Sequence, residues 1–357
     1  MFEGGTMNEN TQASAIILAQ RDALAEAIVA RQYELQSQFW KPFGETGRAK
    51  SVRDAGYHLT YLSEALSASD PTLFVEYVTW AKALFAGLKF PDDVLTQSLE
   101  CMRAVFQTAL PENVRAVASA YVQAGLDALP RAPAQPTSFI ASDAPLADLA
   151  RAYLDALLRG ERATASQLIL DAVERGASIK DIYLHVFQRT QREIGRLWQT
   201  NQISVAQEHY CTAATQVVMS QLYPRIFSTT KTGRKLVVTC IGGELHEIGA
   251  RMVADFFEME GWDTYFLGAN TPTDSILRML DERRADALAI SATMTFHVRH
   301  VADLIERVRM TRWTKPPKLL VGGYPFNLSP TLWQTLGADG YARDAQEAIE
   351  TAKQLVR

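Results

Sequence analysis

From Gly233 onward the hydrophobic pattern changes period, and this change limits the folds open to the chain more than any other feature. Leu236–Ile241, Thr264–Leu267, Ala287–Ser291 and Leu319–Val321 are short, largely apolar runs, and Tyr341 closes a short fifth. Between and after them, 247–260, 273–283, 298–311 and 344–356 carry apolar residues at helical spacing. A strand with one wet face alternates polar and apolar residues; one that is apolar throughout is covered on both faces. Such strands separated by helices predict a parallel sheet with helices on either side, a doubly wound α/β domain of the Rossmann or flavodoxin type over 233–357.

Upstream the pattern is helical. Over 143–232 it predicts four helices, about 145–159, 162–175, 179–199 and 205–222, enough for a four-helix bundle. Gly160 and Gly176 stand where helices end, and Ser178 with Asp181 and Ser204 with Gln207 have the spacing of capping boxes. Residues 12–129 predict an all-α domain of about five helices, near 14–38, 50–67, 71–88, 92–109 and 112–129, the third opened by Asp70 and a first-turn Pro71. Pro130 to Ser142, with three prolines, reads as a linker closing this first domain at 142. Residues 1–11 are expected to be disordered and lack the basic-then-apolar shape of a secretory signal.

Composition removes several function classes. Net charge is −4 with no block of like charge, which argues against a grip on nucleic-acid phosphates. No apolar run approaches the roughly 18 residues of a membrane span, so a cytoplasmic protein is expected. Cys101, Cys211 and Cys240 have no metal-ligand spacing and read as buried thiols.

In an open parallel sheet, ligands bind at the carboxyl ends of the strands. The loop after the first strand reads Gly242-Gly243-Glu244-Leu245-His246-Glu247-Ile248-Gly249, which is not the dinucleotide fingerprint. It sets a histidine at the crevice with acidic residues two before and one after. A carboxylate can hold one imidazole nitrogen while the other binds a metal, and Gly249 permits close contact of helix and sheet. One histidine cannot build a tetrahedral zinc site; it suits one axial position of a metal held mainly by a macrocycle. A solvated loop histidine is the alternative on this loop alone.

The loop resembles the D-x-H-x-x-G signature of cobalamin-binding domains, with Glu244 at the first position. The likeness continues through Ser291-Ala292-Thr293 at the end of the third strand, Gly322-Gly323 at the end of the fourth, and Gly337 to Ala342. It implies His246 as the lower axial ligand of cobalt in place of the cofactor's own base, with Glu244 orienting it. It also implies that the displaced base lies beside the sheet where glycines leave room, near Ser291, Thr293, Gly322 and Gly323.

In the helical segment before the sheet, Trp198 closes one helix, and Glu208-His209 follow after nine residues in the first turns of the next. The turn between folds the helices back, so a flat apolar wall and a carboxylate able to accept ribose hydroxyls can share one cavity. Seen alone, Trp198 fits a core and Glu208-His209 a surface pair. The W-x9-E-H spacing resembles the light-sensing adenosylcobalamin proteins of the CarH type, and the resemblance implies that Trp198, Glu208 and His209 surround an adenosyl upper ligand. Gln199 stands where the best-known members have a histidine.

Nothing in residues 12–129 resembles the DNA-binding domain of those repressors. The segment is rich in aromatics, and a helical domain before this cap resembles the photocobilins, which bind cobalamin and biliverdin. That resemblance implies a biliverdin site, with His58, Tyr57 and Tyr61 as candidate contacts and Arg48 and Arg53 as candidate propionate partners; the same residues also suit a plain core. The expectation is a non-enzymatic light sensor carrying adenosylcobalamin and biliverdin, a homo-oligomer whose assembly or partner contact changes with light. The alternative is a corrinoid methyl-carrier protein of a methyltransferase system. A mutase would need a substrate barrel of roughly 250 residues, for which there is no room.

Overall fold

The computed structural model describes residues 8–356. The chain forms two compact units that divide between Gln135 and Pro136, inside the proline-rich stretch. Residues 136–142, read from sequence as the end of the first domain, belong to the second: the Phe139 N–H donates to Glu193 Oε2 at 2.9 Å, and Ile140 is buried.

The first unit is all helical. Residues 1–7 of the expected disordered terminus lie outside the described residues, but residues 8–11 are ordered. The Asn8 side chain accepts the Thr11 N–H at 2.7 Å and caps a helix, Glu9–Ala19. Helices Arg21–Leu35, Gly44–Ser67, Pro71–Gly87, Asp93–Ala109 and Glu112–Ala128 follow, with shorter turns at Ser37–Trp40 and Lys41–Phe43. The span expected as one helix over 14–38 breaks at Gln20, whose φ of −105° and ψ of 10° leave the helical region. Asp70 caps its helix as expected, accepting the Thr72 N–H at 2.9 Å with Pro71 in the first turn. Leu59, Leu62, Phe74, Leu99, Phe106 and Val122 are buried in this unit's core.

The second unit opens with helices Ala147–Leu158 and Arg162–Glu174. The chain then runs from Ile179–Asp181 through a π-helical turn, Ile182–Phe187, into Gln188–Gln199, and on to Val205–Gln221. The first of these helices touches the other three. Gly160 (φ 76°) and Gly176 (φ 96°) end two helices in the left-handed conformation that a side chain disfavours. Ser204 and Gln207 make the full capping box. Ser178 does not: its backbone is extended as a cap requires, yet its side chain makes no capping bond.

The sheet has five parallel strands: β1 (Lys235–Cys240), β2 (Asp263–Phe266), β3 (Ala287–Ser291), β4 (Lys318–Gly322) and β5 (Gly340–Ala342). Their order is β2-β1-β3-β4-β5, the flavodoxin-like form of the doubly wound fold. Leu236 pairs with Thr264 on one side and Ala287 on the other, so β1 is an inner strand, and its residues from Leu236 to Cys240 are buried. The helices before the sheet share one continuous core with it, in which Ile182, Tyr183 and Phe187 pack with Phe256 and Phe257 of helix Ile248–Met259. Among the described residues no helix is long and apolar enough to cross a membrane.

Candidate functional site

Strand order fixes where a site can form. The chain leaves β1 toward β2 on one side and returns to β3 on the other, so the carboxyl ends of β1 and β3 flank the switch point. Three loops converge there. The Glu244 N–H donates to the Ile241 carbonyl at 3.0 Å and closes the turn after β1. Asn270, in the loop after β2, accepts the Gly243 N–H on its side chain at 2.7 Å and donates its own N–H to the Glu244 carbonyl at 2.9 Å.

Glu244 ties this loop to the one after β3. Its carboxylate is fully buried. Oε1 accepts the His246 N–H at 3.0 Å and lies 2.5 Å from His246 Nδ1. Oε2 accepts the N–H groups of Thr293 at 2.7 Å and Met294 at 3.0 Å, and lies 3.0 Å from Nδ1 of His297. Burial alone pushes this carboxyl up. The bonds from the His246 and His297 side chains and from the backbone together outweigh it and hold the group well below the usual carboxylate range.

His246 has the opposite exposure. Its side chain is 59% exposed, beside the outward-facing Leu245. The bond from Glu244 raises its pKa against the opposing effect of burial, and the charges of Glu244 and Glu208 add to the rise. Nδ1 is held by the carboxylate, so Nε2 is the nitrogen available to a metal. Cys240 supports the loop from below, its Sγ 3.6 Å from the His246 carbonyl. Burial first, then Glu244 and Glu247, push this thiol up to about 12, so it stays a protonated donor. Glu247 joins the loop to the helices before the sheet, accepting the Gln216 amide at 2.7 Å and the Ala269 N–H at 3.0 Å.

His297 is the site residue that the sequence reading lacked. It is buried, stacks on His300 at 5.8 Å between ring centroids, and sits where a side chain on Gly243 would meet its Nε2 at 3.1 Å. The signal was its position six residues beyond Ser291, at the end of the strand paired with β1.

One glycine corrects an expectation. Gly249 does not bring helix and sheet together: it is exposed, and a Cβ there meets nothing within 4 Å. Gly322 and Gly323 are required by the backbone: at φ 109° a Cβ on Gly323 would fall 1.9 Å from the Ala292 carbonyl oxygen, and one on Gly322 would lie 3.1 Å from the Ala342 carbonyl oxygen. Ser291 keeps its place at the end of β3, where its carbonyl accepts the Ile241 N–H at 3.3 Å, and Thr293 contributes its backbone N–H to Glu244.

Of the residues expected on the upper side, Glu208 and His209 are hydrogen-bonded to one another, with Glu208 the better covered and His209 73% exposed. Glu208 lies close enough for its charge to act on His246. Trp198 is half-buried and Gln199 buried. In the first unit, His58 is buried with Nδ1 2.7 Å from the Tyr77 hydroxyl, and burial pulls its pKa down to about 4. Tyr61 stacks on Tyr77 at 3.8 Å, while Tyr57 is exposed. Arg48 pairs with Glu26 at 2.7 Å and Arg53 with Asp54 at 3.6 Å.

Among the described residues no cluster of three His, Cys, Asp or Glu side chains could hold a metal by itself. The donor set fits a single axial imidazole, exposed and anchored through its second nitrogen, for a metal whose other positions are filled by a macrocycle.

A fold and site of this kind define a cofactor-binding module at the switch point of a flavodoxin-like sheet. Comparison identifies the cofactor class: residues 234–350 and 149–223 each match a B12 binding domain family, which makes this a cobalamin-binding protein. It is similar to a corrinoid protein of Desulfitobacterium hafniense strain Y51, 24% identical over 206 residues that cover 56% of this chain and 94% of the relative. It is 29% identical over 146 residues to dimethylamine corrinoid protein 2 of Methanosarcina acetivorans, covering 41% of this chain and 65% of the relative. With dimethylamine corrinoid protein 3 of the same organism the identity is 31%, and the match spans 54% of the relative. The fold is that of the Methanosarcina barkeri monomethylamine corrinoid protein, with a TM-score of 0.53 at 21% identity over 59% of this chain and all of that one.

Proposed function

We propose that the chain is a non-enzymatic corrinoid carrier that binds cobalamin between the helices before the sheet and the carboxyl ends of β1 and β3. His246 would hold the cobalt of bound cobalamin through Nε2, and the group that bound cobalamin carries would be exchanged with a methyltransferase partner. The observation that carries this reading is the exposed His246 imidazole held through Nδ1 by the buried Glu244; the names of the relatives support it. Bound cobalamin supplies a cobalt centre able to carry a carbon ligand. The protein's part is to present Nε2, hold the Nδ1 proton on Glu244, and cover the upper side with Trp198 and Glu208. The test is to load the protein with methylcobalamin and add a corrinoid-dependent methyltransferase with its acceptor. Loss of the methyl group in the dark, dependent on the transferase, supports the carrier reading; a methyl group that stays put counts against it.

A second reading, a light sensor carrying adenosylcobalamin, is favoured by Trp198 and the Glu208-His209 pair at nine-residue separation, with the Glu208 charge reaching His246. Biliverdin as a second chromophore belongs to this reading, motivated by the stacked Tyr61 and Tyr77 beside His58 with Tyr57 exposed. Preference for adenosylcobalamin over methylcobalamin and a change of oligomeric state under green light are its expected results. Adding biliverdin to the full chain should give a saturating red band near one equivalent. Equal affinity for both cobalamins and a light-indifferent oligomeric state would exclude it.

A further inference from the structure

Helix Val205–Gln221 carries Glu208, Thr212 and Thr215 on one face, at the spacing of successive turns. That face meets Gln191 of helix Gln188–Gln199 and Tyr153 of helix Ala147–Leu158. Tyr153 and Thr215 are fully buried. The Tyr153 hydroxyl lies 3.0 Å from Thr215 Oγ1, and the Gln191 amide lies 2.8 Å from Thr215 Oγ1 and 3.1 Å from Thr212 Oγ1. Thr212 Oγ1 in turn lies 3.1 Å from Glu208 Oε1. These contacts form an unbroken path across three helices that ends on a carboxylate.

Counting protons decides how the path runs. Each hydroxyl has one proton, and the amide has donors at one end and an acceptor at the other. The structure sets Gln191 Nε2 toward Thr215 and Oε1 toward Thr212, so the Thr215 oxygen receives two donors and its own proton is unused along the path. Thr212 then has one proton for two acceptors, Gln191 Oε1 and Glu208 Oε1. With the amide turned end for end, every contact has one donor and one acceptor. Tyr153 donates to Thr215, Thr215 to Gln191 Oε1, Gln191 Nε2 to Thr212, and Thr212 to Glu208. Buried polar groups are paired in folded proteins; Tyr153 and Thr215 are the fully buried members of the path, and this orientation gives each of their hydroxyl protons an acceptor along it.

We propose that Tyr153, Thr215, Gln191 and Thr212 form a one-way hydrogen-bond relay that fixes Glu208 as an acceptor, so that Gln191 and Thr212 are positioning residues for a hydroxyl-bearing upper ligand. The relay holds Oε1, while Oε2 is hydrogen-bonded to the exposed His209. A carboxylate fixed in advance loses little freedom when a sugar hydroxyl reaches it, which strengthens binding without a new contact. The ligand half of the proposal rests on the adenosylcobalamin reading; the relay itself does not.

The relay is tested on the ligand-free protein by NMR. Nuclear Overhauser contacts from the Gln191 side-chain NH2 to the Thr212 methyl are expected, and contacts to the Thr215 methyl alone would overturn it. The ligand half is tested by titrating adenosylcobalamin and methylcobalamin into wild type, Thr212→Val, Thr212→Ser and Gln191→Glu. In Thr212→Val and Gln191→Glu, adenosylcobalamin affinity should fall about tenfold, the loss of one well-placed hydrogen bond, with methylcobalamin affinity little changed. Thr212→Ser keeps the hydroxyl and should bind as wild type. Equal losses for both cobalamins, or none, would overturn the positioning role. If wild type itself does not distinguish the two, the adenosyl reading and the ligand half fail together, while the NH2 orientation still decides the relay.

Discussion

Glu244 is buried because five donors converge on it, two from His246, one from His297 and two from the backbone of Thr293 and Met294. Replacing it by glutamine turns one oxygen into a donor that must face another donor. Glu244→Gln should lower stability at neutral pH by about 1–3 kcal/mol, the usual cost of an unmatched buried group, and weaken cobalamin retention. The pH dependence has a definite sign. A carboxyl whose folded pKa is depressed stabilises the fold above its ordinary value of 4.5, and that contribution is lost as pH falls toward the folded value. Denaturant unfolding at pH 7 and at pH 3 should therefore show the wild-type advantage shrinking in acid; an equal gap at both would contradict the assignment. The pair Glu244 and His246 was legible because two residues at the end of a strand need no tertiary information. His297 was not. It stands 53 residues from Glu244, and only the pairing of β1 with β3 brings it there.

Elements show where sequence patterns mislead. The glycine pair ending β4 was visible, but its reason was not, since only the folded backbone places the Ala292 carbonyl 1.9 Å from a Cβ on Gly323. Gly323→Ala should cost several kcal/mol in denaturant unfolding, from the clash and the φ of 109° together. Gly249→Ala, with nothing within 4 Å, should change stability by less than about 1 kcal/mol. Capping boxes at Ser178 and Ser204 look alike in sequence, yet only Ser204 makes the bonds, because side-chain rotamers answer to neighbours the motif does not name. The link between the π-helical turn and helix Ile248–Met259 was also hidden: Tyr183 donates to Asp255 Oδ2 at 2.7 Å. Burial pushes Asp255 up from 3.8 to about 6, against the bonds from Tyr183 and Tyr223 and the Arg251 charge, with Glu258 adding to the rise. A folded pKa above the unfolded one means that the native state binds the extra proton, so stability falls as pH rises from about 4 to 6. Asp255→Asn keeps an acceptor for Tyr183. It should be more stable than wild type at pH 8 by up to about 3 kcal/mol, and close to wild type at pH 4. No gain at pH 8 would show that the charged form is not the strained one.

At the scale of the molecule, the change of period at Gly233 was enough to place the parallel sheet, because all-apolar strands separated by helices admit few arrangements. The order β2-β1-β3-β4-β5 needed the structure, since periodicity does not say which strands are neighbours. The units divide between Gln135 and Pro136, inside the proline-rich stretch and before the expected boundary at 142; that residues 136–142 fold with the second unit depends on the Glu193 bond to Phe139 and was not legible. In the proposed mode of binding, His246 replaces the cofactor's own base beneath cobalt. The most direct measurement is electron paramagnetic resonance of the protein loaded with cobalamin in the Co(II) state, prepared with ordinary histidine and with histidine labelled with nitrogen-15. An axial nitrogen splits the cobalt lines into triplets if it is nitrogen-14 and into doublets if it is nitrogen-15. Triplets that become doublets on labelling and disappear in His246→Ala are the expected result. Triplets that persist in the labelled protein would show that the cofactor keeps its own base, and would contradict the claim.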